Sequence, residues 1–328
     1  MLTYLVRRVL LALFTVWAIS VLTFIIIQAP PGDFVDAYIS NLSAGGGAIS
    51  VEQAEQLRRE YALDQPIYAQ YFRWLGKVVQ GDFGMALLWQ RPVMEVIGDR
   101  LWLTMIVSFA AVLLTWFLAL PIGIYSAVKQ YSIGDYIFTF LGFLGLAIPS
   151  FMLGLLALYF GFVFFGANVG GLFDPQYAEA PWSWAKFGDL LQHLPLPAVI
   201  LAVAGMAQAI RIMRANLLDE LRKPYVVTAR AKGLSETRAI LKYPVRVALN
   251  PFASTIGYTL PYVVSGSIIV SLVMGLPTVG PLLLQALIAQ DMFLAGTIVL
   301  LLGVLTVIGT LISDLILVWI DPRIRLEG

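Results

Sequence analysis

Long apolar stretches that carry almost no charge dominate this 328-residue chain and limit what it can fold into. Six of them cover residues 9–29, 101–128, 136–165, 194–210, 252–275 and 292–313. A helix that crosses a bilayer needs about 20 such residues, with about 17 as the lower limit. Hydrophobic residues make up 59% of the sequence and charged residues 12%, roughly half the charged share of a soluble domain. The sequence therefore predicts an all-α, multi-pass membrane protein with six transmembrane helices.

The basic residues are divided unequally between the two sides of the predicted membrane domain. Six spans place both termini on one side, and 14 of the 21 Lys and Arg residues fall on that side, against 7 on the other. By the positive-inside rule, the termini and the loop between the fourth and fifth spans are cytoplasmic. Because the basic residues follow this topology, they predict contact with a lipid bilayer and no nucleic-acid partner.

The chain divides at the predicted span ends. Residues 1–29 form the cytoplasmic N-terminus and first span, 30–100 an external segment, 101–320 a core with a charged cytoplasmic loop at about 211–250, and 321–328 a cytoplasmic tail. The external segment is predicted to be a small helical insert, since Ser50 and Gln53 have the spacing of a capping box. A second helix is predicted to begin at Pro66, with Ile67, Tyr71 and Trp74 on one apolar face.

The charged loop has the order of a helix, a turn and a second helix. Residues 225–232 form a helical run closed by Gly233, a residue type suited to a helix C-terminus. Ser235 has the position of an N-cap for a second short helix that ends near Lys242, before Pro244. Topology explains the basic residues of this loop and leaves the helical order unexplained. With small residues on both sides of Arg230, the loop predicts a compact surface that docks into a groove of a soluble partner.

The sequence contains no recognisable catalytic set. There is no cysteine, no glycine-rich phosphate-binding loop, and a single histidine, His193, for which a structural role is favoured over a ligand role. The chain is therefore predicted not to be an enzyme and to bind no metal or cofactor itself. Asp314, within the sixth span, is the one acidic candidate for a proton carrier. Pairing of Asp314 with cytoplasmic arginines is favoured over that role.

Proline and glycine interrupt the predicted spans repeatedly. Close helix packing is favoured as their purpose, and the alternative is that helices bent at Pro149 and Pro261 line a gated pathway. Between the third and fourth spans, Trp182 and Trp184 are better explained as interfacial anchors than as a substrate cage. Polar residues on the span faces are the candidates for a translocation pathway, and they are Ser150, Tyr258, Tyr262 and Ser265.

The core of the charged loop, Thr-Ala-Arg-Ala-Lys-Gly-Leu at 228–234, resembles the EAA loop of binding-protein-dependent ABC importer permeases. The form is that of the dipeptide, oligopeptide and nickel group, and further motifs resemble its first permease subunit. They are Tyr-Leu-Val-Arg-Arg at 4–8, Pro-Gly-Asp at 31–33, Leu-Asp-Gln-Pro at 63–66, Tyr-Phe-Arg-Trp-Leu at 71–75, Gly-Asp-Phe-Gly at 81–84, Ile-Pro-Ser-Phe at 148–151 and Asp-Pro-Arg-Ile-Arg at 321–325. The sequence departs from the pattern at Val227, Ser271 and Leu276, where the group commonly has Glu, Glu and Trp.

The resemblance implies a type I ABC importer permease in a bacterial inner membrane. Such a subunit would translocate peptides or similar small solutes, delivered by an external binding protein, by alternating access. Its other partners would be a second homologous permease in a heterodimer and two cytoplasmic ATP-binding subunits, which hold the ATP and Mg. The residues implied in ATPase coupling are Tyr225, Thr228, Ala229, Arg230, Ala231, Lys232, Gly233 and Leu234.

Three alternatives stay open at this point. An importer of the same family could carry oligosaccharides, opines or nickel chelates. A proton-coupled secondary transporter would use Asp314. A membrane scaffold would assemble soluble partners through the loop without translocating anything.

Overall fold

The computed structural model describes residues 2–29, 31–44, 50–60, 62–166, 169–252 and 266–320, with the side chains of 2–5, 41, 44, 60 and 313–320 excepted. These ranges are mainly helical. The helices up to residue 128 are α1 (Leu2–Gln28), α2 (Phe34–Ala44), α3 (Val51–Glu60), α4 (Ile67–Val79) and α5 (Val93–Val128). Between α4 and α5, β1 (Met85–Ala86) pairs antiparallel with β2 (Arg91–Pro92). The later helices are α6 (Ile133–Ala147), α7 (Ser150–Phe165), α8 (Pro175–Ala178), α9 (Trp184–His193), α10 (Pro195–Leu221), α11 (Pro224–Ala231), α12 (Glu236–Lys242), α13 (Pro244–Ala248), α14 (Gly266–Met274), α15 (Val279–Ile288) and α16 (Met292–Ile320).

Four of these helices contain stretches long and apolar enough to cross a membrane, namely Val6–Gln28, Val93–Val128, Pro195–Leu221 and Met292–Ile312. Two further pairs of helices, α6 with α7 and α14 with α15, are each separated by a sharp bend. If each pair is one span, the number of candidate spans rises to six. The prediction of a helical protein with several membrane spans is confirmed by this count.

The third predicted span, 136–165, consists of two helices with a sharp bend between them. The chain bends by 98° between α6 and α7. Ile148, the residue before Pro149, has extended backbone angles (φ −94, ψ 120), because proline disfavours the helical region for the residue before it. The bend predicted at Pro149 is therefore present, whereas Pro261 lies outside the described residues.

Two other span boundaries also differ from their predictions. Helix α5 begins at Val93 and is interrupted at Gly98 (φ 21, ψ −118), a conformation that glycine adopts more readily than other residues. Helix α10 does not stop at the first arginine and continues to Leu221. Charge ends an apolar run but does not end a helix, since arginine is a good helix former.

The described residues form two compact units. One comprises the chain up to Leu103 together with Thr278–Val307, and the other comprises Thr104–Pro277 and the residues after Val307. In the first unit, Phe24 of α1, Tyr71 and Trp74 of α4, and Met292 and Leu300 of α16 form one buried apolar cluster. Residues of α1, α4 and α16 therefore share a core.

The helix-start signals predicted within residues 30–100 are confirmed at both places. The Gln53 N–H donates to Ser50 Oγ (3.2 Å) and the Ser50 N–H donates to Gln53 Oε1 (3.0 Å), a reciprocal capping box. Pro66 precedes the first residue of α4. On the predicted apolar face, Tyr71 and Trp74 are buried, whereas Ile67 in the first turn is 53% exposed.

A buried acid in the first unit was not anticipated. Asp291, immediately before α16, is fully buried. Its Oδ1 accepts the Leu294 N–H (3.1 Å), which caps the helix, and its Oδ2 accepts the N–H groups of Leu87 (2.6 Å) and Leu88 (3.3 Å). One carboxyl group thus joins α16 to the hairpin of the insert. Burial raises the pKa of Asp291 to about 6.

Replacing Asp291 with Asn should change how stability depends on pH. The folded state holds the Asp291 proton more tightly than the unfolded chain, so stability falls as pH rises from about 4 to about 6. A pKa difference of about two units corresponds to about 3 kcal/mol. Asn cannot ionise, so the melting temperature of the wild type should decline relative to Asp291→Asn across this pH range. The variant of exposed Asp64, Asp64→Asn, should follow the wild type, and a constant difference between wild type and Asp291→Asn would contradict the assignment.

In the second unit, glycines allow close helix contacts. A Cβ added at Gly145 of α6 would lie 2.6 Å from Val203 Cγ1 of α10, and one at Gly123 of α5 would lie 2.6 Å from Met213 Cβ. Real Cβ atoms do not approach other atoms this closely, so α10 packs against both helices only because glycine is present. At these two positions, helix packing explains the glycines.

Candidate functional site

The charged loop is structured throughout its described part, residues 211–252. Helix α10 ends at Leu221, and Lys223 adopts an extended conformation (φ −75, ψ 147). Pro224 then occupies the first position of α11, where its missing N–H costs no hydrogen bond. The Tyr225 hydroxyl donates to the Glu220 carboxylate across this junction. Burial and the neighbouring carboxylate both raise the pKa of Tyr225, so the phenol stays protonated and can keep donating.

The predicted turn at Gly233 is present with well-defined geometry. Gly233 has φ +79, the left-handed conformation. Its N–H donates to Arg230 O (2.9 Å) and the Leu234 N–H donates to Ala229 O (3.3 Å), the two bonds of a Schellman motif. A Cβ added at Gly233 would contact nothing within 4 Å. The backbone angle, and not the available space, therefore favours glycine here, since the left-handed conformation costs other residues about 1–2 kcal/mol.

Helix α11 has one buried face and one exposed face. Val226 and Ala229, three residues apart, are buried against the rest of the unit. The exposed residues include Val227, Thr228, Arg230, Ala231 and Lys232. Ala229 thus packs α11 against the rest of the unit, whereas Ala231 lies on the exposed surface, where a partner could contact it. The two small residues on either side of Arg230 therefore have different roles, one in packing and one on the surface.

Arg230 and Glu236 form an ion pair across the turn. The Arg230 Nε lies 3.0 Å from Glu236 Oε2, and a terminal guanidinium nitrogen contacts Oε1. The two residues are six positions apart and lie on either side of Gly233. The pair therefore ties the end of α11 to the start of α12. Sequence reasoning singled out Arg230 and missed Glu236, although the proximity of opposite charges across a predicted turn was a usable signal.

The second half of the loop connects the exposed helices to the helical core. Helix α12 begins after Ser235, as predicted, and its Ile240 joins Val245 and Ala248 of α13 in a buried cluster. The same cluster contains Ile210, Met213 and Leu217 of α10 and Ala119 and Ala127 of α5. Direct apolar contacts therefore connect α12 and α13 to the long helices α5 and α10.

An open groove of about 320 Å³ lies next to this helix pair. Its lining consists of Tyr225, Lys242, Tyr243, Arg246 and Val247. The Lys242 ammonium lies 5.5 Å from the Tyr243 ring centre, within the range of a cation–π contact. The loop therefore presents a basic, aromatic concavity beside the exposed face of α11.

A buried ion pair joins α10 to α6 near the loop. Arg214 Nε donates to Asp135 Oδ1 (3.0 Å), and a terminal nitrogen donates to Oδ2 (2.9 Å). The Asp135 side chain is only 3% exposed. The Tyr131 N–H also donates to Oδ2 (3.0 Å). The sequence singled out neither residue, because they are 79 positions apart and each alone resembles an ordinary residue at a span end.

Of the four predicted pathway residues, only Ser150 lies in the described part of the structure. Ser150 is the first residue of α7, directly after the bend, and is partly buried. Tyr258, Tyr262 and Ser265 lie outside the described residues. Asp314 lies in helix α16, and its side chain is likewise outside the described part of the structure.

The fold and this loop define a class, a multi-span helical membrane protein with a structured, partly exposed loop fixed to its core. Comparison with known proteins assigns the family. Residues 119–326 match the family described as binding-protein-dependent transport system inner membrane component, and residues 1–110 match its N-terminal domain. The chain belongs to this family.

Relatives match along the whole chain. The oligopeptide transport system permease protein AppB of Bacillus subtilis (strain 168) is 35% identical, covering 99% of this chain and all of the relative. The dipeptide transport system permease protein DppB of Lactococcus lactis subsp. cremoris is 30% identical, with 99% and 100% covered. The glutathione transport system permease protein GsiC of Escherichia coli (strain K12) is 30% identical, with 99% of both chains covered.

Proposed function

We propose that this chain is a transmembrane permease subunit of an ATP-driven importer for peptides. The observation that carries the proposal is the match over 99% of the chain to permeases named for oligopeptide, dipeptide and glutathione transport. These names share a peptide cargo. They favour peptides over the oligosaccharides, opines or nickel chelates that the sequence left open.

The proposed assembly contains a second, homologous permease, two cytoplasmic ATP-binding subunits and an external substrate-binding protein. ATP and Mg belong to the ATP-binding subunits, and this chain contributes neither a catalytic residue nor a nucleotide site. In the proposed type I topology, six spans place both termini in the cytoplasm. Residues 30–100 form the external insert, 101–320 the core, and 321–328 the tail. The division of basic residues, 14 against 7, supports this orientation.

The helix pair α11–α12 is proposed as the coupling element that contacts an ATP-binding subunit. Its exposed face offers Tyr225, Thr228, Ala231 and Lys232 to the partner, while Ala229, the Arg230–Glu236 pair and the turn at Gly233 and Leu234 hold the two helices in position. The contacts of α12 and α13 with α10 support this role, since motion of the partner would displace α10 directly. For alternating access, ATP must favour one docked state over the other in free energy.

The translocation pathway is proposed to pass the polar residues Ser150, Tyr258, Tyr262 and Ser265. The bend at Pro149 supports the choice of Ser150, because a broken helix exposes backbone groups that need a polar or protein-lined environment. The remaining three are proposed from the sequence alone.

Uptake by the assembled transporter tests the function. The test uses proteoliposomes that hold the complete complex and its binding protein. We expect uptake of a labelled tri- or tetrapeptide only when ATP is present on the side of the membrane that carries the ATP-binding subunits. A labelled oligosaccharide and a nickel chelate, offered to the same vesicles, serve as control cargoes whose uptake is compared with that of the peptide. Peptide uptake that persists without ATP and collapses with a proton ionophore would instead favour the secondary transporter, and full transport by Asp314→Asn would remove that alternative.

A further inference from the structure

The loop between α7 and α10 is held in a defined shape by its own side chains. Ser183 caps α9 by accepting the Lys186 N–H (3.2 Å). The Lys186 side chain is buried, donates to Ala180 O (2.6 Å), and lies 4.9 and 5.2 Å from the ring centres of Phe173 and Trp182. These contacts fix the position of α9 relative to the chain around Phe173. Trp182 therefore stacks with a lysine of its own chain, whereas Trp184 is exposed.

Three side chains with metal-binding atoms meet at this junction. Asp189 and His193 are four residues apart on α9, so they lie on the same face one turn apart. Asp174, directly before α8, faces them from the loop. One ligand atom from each of the three lies within 4.8 Å of the others. His193 Nε2 is 3.6 Å from Asp174 Oδ1.

The hydrogen bonds around the cluster orient it as a ligand set. His193 Nδ1 lies 2.9 Å from the Asp189 carbonyl oxygen, and only a protonated Nδ1 can form this bond. The lone pair of the neutral ring is then on Nε2, the nitrogen that faces Asp174. A histidine that donates one N–H to a backbone carbonyl and presents the other nitrogen outward has the arrangement of metal-ligating histidines.

The Asp189 carboxylate is oriented in a similar way. Its Oδ2 accepts the Asp174 N–H (2.9 Å), and its Oδ1 lies beside the imidazole, 3.4 Å from His193 Nδ1. The side chain is only 6% exposed. A buried carboxylate, an imidazole and a second carboxylate thus place three electron-pair donors within 4.8 Å of one another. Such a set is stabilised by a cation.

We propose that Asp174, Asp189 and His193 bind a divalent first-row metal ion, with Zn²⁺ as the best match. One imidazole nitrogen and two carboxylate oxygens suit Zn²⁺ better than Mg²⁺ or Ca²⁺, which prefer all-oxygen sites. Ligand atoms of tetrahedral Zn²⁺ are about 3.4 Å apart at metal–ligand distances of about 2.1 Å, so atoms that lie up to 4.8 Å apart here must approach one another by as much as about 1.4 Å. Asp174, whose side chain is 53% exposed, can supply that movement by rotating inward. The bound ion would fasten the start of this loop to the end of α9, directly before α10. This differs from the structural role that the sequence favoured for His193.

Metal content measured on the assembled transporter tests the proposal. After equilibrium dialysis against micromolar Zn²⁺, we expect one more zinc per copy of this chain in the wild type than in Asp174→Asn or His193→Gln. Added Zn²⁺ should raise the melting temperature of the wild type by a few degrees, because a ligand that binds only the folded state stabilises it, and should leave both variants unchanged. Asp174→Asn keeps the backbone N–H bond to Asp189, so it is expected to fold.

A neighbouring acid provides the control. Glu179, an exposed residue of the same loop, lies outside the cluster, and Glu179→Gln should bind zinc like the wild type. Millimolar Mg²⁺ should not displace the bound zinc. Equal zinc content in the wild type and both cluster variants, or no saturable zinc binding by the wild type, would overturn the proposal and leave the cluster as a polar contact between the loop and α9.

Discussion

Replacing Arg230 with Glu is expected to reduce ATP-dependent uptake about tenfold or more while the chain remains folded. The substitution puts two carboxylates on either side of the Gly233 turn, where Arg230 and Glu236 now form an ion pair. Exposed pairs of this kind contribute at most about 1 kcal/mol to stability, so the melting temperature should change little. A large loss of uptake would therefore report a change at the docking surface and not unfolding of the chain.

The charge-swapped variant separates the two roles that Arg230 could have. Because Glu236 engages two nitrogens of the guanidinium, the structure favours a positioning role, and Arg230→Glu with Glu236→Arg should recover most of the uptake. A swapped variant as inactive as the single one would mean that Arg230 contacts the ATP-binding subunit directly. The control is Arg59→Glu, which reverses a charge in the similarly exposed Arg59–Glu55 pair of the insert and should leave uptake unchanged.

Removing Arg214 is expected to destabilise the second unit by about 3 kcal/mol. Arg214→Ala strands the Asp135 carboxylate in a buried position, and breaking one partner of a buried pair costs about 3–5 kcal/mol. Arg214→Lys should recover only part of this, since an ammonium cannot form the bidentate contact. Thermal unfolding of the purified protein in detergent measures the effect.

The double variant Asp135→Asn with Arg214→Met should be more stable than Arg214→Ala alone, because it leaves no buried charge unpaired. Arg211→Ala provides a matched control on the same helix, since Arg211 is exposed and bonds only to Gln208 among the contacts described. Its cost should stay within about 0.5 kcal/mol. Similar losses from Arg211→Ala and Arg214→Ala would contradict the role assigned to the buried pair.

Local signals in the sequence were sufficient for much of the fold. The capping box at Ser50 and Gln53, the start of α4 after Pro66 and the turn at Gly233 each depend on residues within a few positions of one another. Backbone geometry and hydrogen bonding act over that range, so the residue type alone predicts the local conformation. The helix, turn and helix of the charged loop were predictable for the same reason.

Contacts between distant segments were not predictable in this way. Asp291 and Leu87 are 204 positions apart, and Asp135 and Arg214 are 79 apart. A single sequence contains no information on which of many polar residues will meet across such distances. Hydropathy alone does not locate the end of α10 either, since it measures where apolar residues stop and not where a helix stops. The cluster of Asp174, Asp189 and His193 depends on a local and a less local contact. Asp189 and His193 lie one turn apart on α9, whereas Asp174 comes from the preceding loop.

The unbroken course of α10 from the apolar region into the charged loop has a mechanical consequence. Its 27 residues form a rod about 40 Å long at about 1.5 Å per residue. If such a rod tilts by about 5° around its midpoint, each end moves about 2 Å in opposite directions. A displacement of that size is comparable to the helix shifts that separate two states of known switching proteins. In the proposed coupling, a small rotation of the partner would therefore be enough to move both ends of α10, without unfolding or a hinge within the helix.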